Sequence, residues 1–150
     1  MTEIINGHAP VTGASETEIA ATPDVVWDVL TAIERWPLWN PEVKSASMRG
    51  EITKGSEFRW KAGPGTITSI VQQLEPPQLI VWTGKTFGIK AIHVHTLEPR
   101  NGKTLVRTEE SYEGLIARVF RGSLQKTLDT ALADGLRHLK VEAERQSAPD

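Results

Sequence analysis

Between Val43 and Gly114, apolar and polar residues alternate with a period of two, whereas on either side they recur every three or four positions. Turn signals at Gly63-Pro64-Gly65, Pro76-Pro77, Phe87-Gly88 and Asn101-Gly102 cut the alternating stretch into about six consecutive strands. Asn101-Gly102 is the sharpest of them, because a two-residue type I′ hairpin needs positive φ at both central positions. Ahead of this stretch, Ser15–Ala21 reads as a short strand and Thr22-Pro23-Asp24 as a helix start. Thr22 suits the cap, Pro23 the first helical position, and Asp24 the positive end of the dipole. Val26, Val29, Leu30 and Ile33 then make Pro23–Glu34 a short amphipathic helix. Pro37 and Pro41 limit the next segment to a second short helix or a turn. Behind the strands, Ile116, Phe120, Leu124, Leu128, Leu132, Leu136 and Leu139 form one apolar stripe, so Leu115–Arg145 is expected to be a single long helix. Gly122 and Gly135 are its weak points, each a candidate kink or close approach to the sheet.

The turns also predict which residues share a face. They set His93 opposite Glu110, His95 opposite Thr108, Leu97 opposite Val106, Trp82 opposite His93 and Ile80 opposite His95. They likewise pair Val71 with Trp82, Gln73 with Ile80, Trp60 with Ile67 and Phe58 with Ser69. One face therefore collects Phe58, Trp60, Ile67, Val71, Ile80, Trp82, Ala91, His93, His95, Leu97, Val106, Thr108, Glu110 and Tyr112. Glu57, Arg59, Lys61, Lys85, Lys90, Arg107 and Glu109 fall on the other. A long meander cannot stay flat, and a one-faced helix needs a surface to cover. The expected fold class is α+β, a curved antiparallel sheet of about seven strands wrapped around a C-terminal helix and enclosing an apolar cavity.

The 150-residue length fits one domain, expected over residues 15–145, with a loose leader over 1–14 and a frayed tail over 146–150. Hydrophobic residues make up 39% and charged residues 24%, too apolar for a disordered chain. The net charge of −2 offers no basic stripe for nucleic acid. With no cysteine there is neither a disulfide framework nor a thiol nucleophile. No run approaches a membrane span and the N-terminal stretch has no apolar signal core, so the expected location is cytoplasmic, as monomer or homodimer.

Four segments carry a resemblance: Ala21–Val43 (ATPDVVWDVLTAIERWPLWNPEV), Ala91–Pro99 (AIHVHTLEP), the strand start Gly102–Val106, and Thr108–Gly114 (TEESYEG) ahead of the last helix. Together they resemble the START-like, or SRPBCC, superfamily, and within it the polyketide cyclase/dehydrase and lipid-transport group, over roughly Ser15–Arg145. The resemblance implies a helix-grip fold with two short helices after the first strand, and a hydrophobic cavity between sheet and long helix, open near the short helices. Its members include cyclases, dehydratases and lipid carriers, so fold alone does not choose among them. Where His95 stands, the family often has an aromatic residue, so this chain places an extra polar group there.

An apolar concave face with a few convergent polar groups is the usual makeup of a small-molecule site. The expected ligand-contacting residues are Trp39, Phe58, Trp60, Val71, Trp82, His93, His95, Thr108, Glu110 and Tyr112, for a small hydrophobic molecule such as a lipid, polyketide or aromatic compound. His93 and Glu110 are the candidate catalytic pair, able to move protons in a cyclisation or dehydration. The plainer alternative is that the two side chains satisfy each other or orient a ligand's polar end. His93, His95 and Glu110 also have the composition of a two-histidine, one-carboxylate metal site, but nothing else in the sequence supports a metal, and no cofactor is expected. The tryptophans and Tyr112 have an equally plain reading as core and rim residues.

Overall fold

The computed structural model describes residues 5–148. Seven antiparallel strands form one curved sheet in the order β1-β7-β6-β5-β4-β3-β2. They are β1 (Val11–Ile19), β2 (Val43–Met48), β3 (Glu57–Ala62), β4 (Gly65–Glu75), β5 (Leu79–Thr86), β6 (Ile89–Arg100) and β7 (Lys103–Glu113). The α-helices are α1 (Pro23–Thr31), α2 (Trp36–Trp39), α3 (Leu115–Val119) and α4 (Arg121–Ser147). The α+β class and the sheet around a terminal helix are as the sequence implies. Leu128, Leu132, Leu136, Leu139 and Ala143 of α4 are buried, and α4 lies over β1 and α1, with β7 and α2 at its margins.

The edges of the elements differ from the expectation in instructive ways. The first strand starts at Val11, which is fully buried, so residues 11–14 belong to the sheet rather than to a leader. Ahead of it Asn6 is tied to β7 by bonds to Ser111 and Glu113; the leader's residues 1–4 and the tail's 149–150 lie outside the described residues. Helix α1 stops at Thr31, and a 3-10 turn over Ile33–Arg35 follows. Thr22 occupies its N-cap in extended conformation without a side-chain cap bond. The single terminal helix is two helices broken at Phe120, so Ile116 and Phe120 leave the buried stripe and are exposed. Both Gly122 and Gly135 face open space, which removes any close approach to the sheet. At the tail, α4 continues to Ser147.

Register follows the turn chemistry. Asn101 and Gly102 both have positive φ (51° and 82°), as a type I′ hairpin requires, and β6 pairs with β7 as expected. The β3–β4 and β5–β6 pairings also match. At Pro76-Pro77 the expectation is half right. Val71 faces Trp82, but Ile80 faces Leu74 rather than Gln73. An irregularity between Val71 and Gln73 absorbs one residue, the device by which a strand bends without inverting its downstream faces.

Helix α3 leaves the sheet through Gly114, at φ 111°, where an added Cβ would collide with the Gly88 carbonyl oxygen. Gly114→Ala therefore combines a disfavoured backbone with a clash against main chain. It is expected to destabilise the fold by about 2–4 kcal/mol in urea unfolding. A loss under ~0.5 kcal/mol would show that the α3 junction is free to move aside.

Candidate functional site

The concave face has two halves. At one end α2 drives Trp36 into the sheet. Its ring lies 5.6 Å from Phe58, 5.5 Å from Trp60 and 5.5 Å from Trp82, and its indole N–H donates to the Leu30 carbonyl at 2.9 Å. Phe58, Val71, Ile80, Trp82, Leu97 and Val106 are all buried there, so side chains fill this half. Toward the β5–β6 turn, small residues form the row Ser69, Gly84, Ala91, which ends at Tyr112. Trp60, Ile67, Ala91 and Tyr112 are only half-buried, so this half is less completely covered than the other. Phe87 of the β5–β6 turn and Leu115, Val119 and Phe120 in and after α3 are exposed, and the Ile116 side chain approaches Gly88.

Between the halves runs the polar row. The His93 Nε2 lies 2.7 Å from Thr108 Oγ1, and its Nδ1 lies 3.5 Å from Glu110 Oε1, with both side chains largely buried (13% and 14% exposed). His95 stacks on Trp82 at 5.1 Å and lies 4.4 Å from His93. The Nδ1 atoms of both histidines are buried without a hydrogen-bond partner. Such atoms cost free energy unless something completes them.

Burial decides the charge of this row. Loss of solvation pushes the Glu110 carboxyl up to about 8, lowers His95 to about 3, and lowers His93 well below its ordinary value with help from neighbouring His95. Tyr112 is raised too, by burial and then by Glu110. Of the two opposing effects on a histidine beside a carboxylate, desolvation wins. At neutral pH the pair is a carboxylic acid facing a neutral imidazole. Nδ1 of His93 faces the Glu110 carboxyl without a hydrogen bond between them, and the bond between Nε2 and Thr108 Oγ1 takes its direction from the imidazole tautomer.

Of the sequence-derived candidates, the fold brings Trp60, Trp82, His93, His95, Thr108, Glu110 and Tyr112 onto one concave face, with Phe58 and Val71 in its filled half. Trp39 lies apart. It lines a surface concavity of about 190 Å³ with Leu38, Glu142 and Gln146. A second concavity of about 470 Å³, between Thr31–Arg35 and the stretch Met48–Ile52, also lies away from the polar row. The residue missed from the sequence is Trp36. It continues the buried spacing of Val26, Leu30 and Ile33, a signal masked by the adjacent Pro37. Among the described residues no three His, Cys, Asp or Glu side chains are grouped to hold a metal ion, and no helix is long and apolar enough to cross a membrane.

Residues 10–144 match the family model described as polyketide cyclase / dehydrase and lipid transport. By sequence, no curated protein matches the chain. Among solved structures, hypothetical protein jhp0584 from Helicobacter pylori is similar at a TM-score of 0.79 and 14% identity, covering 91% of this chain and 90% of that one. The Zhui aromatase/cyclase from Streptomyces sp. R1128 is similar at 0.78 and 16% identity, covering 91% and 95%. A START superfamily protein from Mycobacterium smegmatis is similar at 0.71 and 17%, covering 90% and 98%. At these identities the likeness carries the fold, not the chemistry.

Proposed function

Because the chain belongs to the polyketide cyclase / dehydrase and lipid transport family, we propose that it binds a small hydrophobic molecule between the curved sheet and the terminal helices, as a carrier or sequestering protein. The observation that supports this most is the polar row itself. Glu110, His93, His95 and Thr108 sit uncharged inside an apolar concave face, with two imidazole nitrogens lacking partners. A core built only for stability gains nothing from orphaned polar atoms, whereas a binding site uses a few of them to fix a ligand's orientation. On this reading the body of the ligand lies along Trp60, Ile67, Ala91 and Tyr112, on the side of the exposed Phe87 and α3, and its polar end reaches Glu110.

Mass spectrometry of compounds retained through purification, followed by titration of tryptophan fluorescence, tests the proposal. A retained apolar compound that perturbs the Trp60 and Trp82 emission is the expected result. Emission unchanged by any apolar compound would sink it.

One observation favours a catalytic reading of the same site. An acid held protonated to about pH 8 beside an imidazole acceptor is equipped to protonate a ligand carbonyl as an aldol cyclisation or dehydration proceeds, with His93 as base. The catalytic reading expects Glu110→Gln and His93→Ala each to lower turnover at least ~100-fold while the dissociation constant changes less than about threefold. The carrier reading expects no turnover in the wild type.

A further inference from the structure

The inward face is without cations. Inward positions of β3 to β7 carry Phe58, Trp60, Ile67, Ser69, Val71, Ile80, Trp82, Gly84, Ala91, His93, His95, Leu97, Val106, Thr108, Glu110 and Tyr112, and none is Lys or Arg. The face of α4 turned to the interior is Leu128, Leu132, Leu136, Leu139 and Ala143, and the buried residue of α3 is Ala117. The cations of these strands sit on the convex side, where Arg59 meets Glu57 and Arg107 meets Glu16 and Glu109. Lys61, Lys85 and Lys90 are exposed there too.

We infer that the half-buried end of this concave face selects an uncharged ligand whose polar end is a hydroxyl or carbonyl, and excludes a carboxylate carried on the same apolar body. This rests on the ligand-binding reading above and narrows its chemistry. A buried carboxylate needs a cation or several donors to replace its hydration, and an anion here would meet apolar walls, no cation and at most the Glu110 and Tyr112 donors. A hydroxyl or carbonyl needs only what the row supplies: the Glu110 carboxyl as donor or acceptor, and the Tyr112 hydroxyl at the end of the small-residue row. The exclusion therefore bears on fatty acids and other anionic amphiphiles. It leaves alcohols, phenols, ketones and esters.

The wild-type protein titrated with matched probes tests this by tryptophan fluorescence at pH 7. 2-Naphthol, 2-naphthoate and naphthalene form one set, and 1-dodecanol with dodecanoate another. The neutral hydroxyl compound of at least one set is expected to bind on the order of 100-fold tighter than its carboxylate, and 2-naphthol about tenfold tighter than naphthalene. Carboxylates binding as tightly as their alcohols would overturn the selectivity while leaving the binding reading intact. Naphthalene equal to 2-naphthol would overturn the role of the polar row. Binding by no probe of either set would remove the binding reading, and the selectivity with it.

Discussion

Replacing Trp36 by alanine is expected to cost about 3–5 kcal/mol, the largest loss of any single substitution on the concave face. Trp36 is the one residue of a four-residue helix that is buried, and it touches three aromatic rings at 5.5–5.6 Å. Its N–H to the Leu30 carbonyl also fixes α2 against α1. Truncation opens a void at the filled end, releases the hydrogen bond and leaves Trp82 without its tilted neighbour. Urea unfolding followed by circular dichroism measures the loss. Trp39→Ala, on the outer concavity, is the internal control and should cost under half as much. Equal losses would mean that α2 is held by bulk apolar contact and not by this ring cluster.

The second large effect is on pH dependence. A carboxyl that titrates at about 8 in the folded protein and at 4.5 in the unfolded chain is bound to its proton more firmly in the native state. Stability then falls as pH rises from 4.5 through 8, because only the unfolded chain gains by releasing the proton. His95 acts at the other end. Lowered to about 3 from 6.5, it makes stability fall as pH drops from 6.5 toward 3. His93, also lowered, adds to the histidine slope, so the two histidines outweigh the acid below pH 6.5 and these groups leave the wild type most stable near roughly pH 6.5. Glu110→Gln keeps the shape and removes the titration. From pH 5.5 to 8.5 the wild-type Tm is expected to drop by about 5 °C or more beyond any drop in the variant. Parallel melting curves for the two proteins across that range would show that Glu110 is ionised in the native state.

Much of this architecture is legible from local chemistry. Asn101-Gly102 dictates its own hairpin, and through it the row of Trp82, His93 and Glu110 follows by counting. What local chemistry leaves open are the places where tertiary contact overrides pattern. The stripe Ile116–Leu139 has unbroken helical spacing, yet the chain breaks at Phe120 because Gly114 swings α3 toward the β5–β6 turn instead of along α4. Nor does spacing show the irregularity in β4 after Val71, since it changes no residue type, only which neighbour Gln73 meets. The candidate site shows the same division. The residues of the polar row can be counted from the turns, but their neutral state depends on burial that only the closed sheet and helices supply.

The strand order has a consequence for how the chain is assembled. Strands β2 to β7 are joined to their neighbours in sequence, so each can pair as soon as the next emerges from synthesis. Strand β1 is made first and pairs last, since its only neighbour is β7, and Ile19 must wait for Thr104 to exist. Even then its outer edge is completed by α4, through Lys140 Nζ donating to the Glu18 carbonyl and Glu144 accepting from the Ala20 N–H. Strand β1 therefore stays unpaired while β2 to β6 are made, and α4, made after all seven strands, is the helix that covers it.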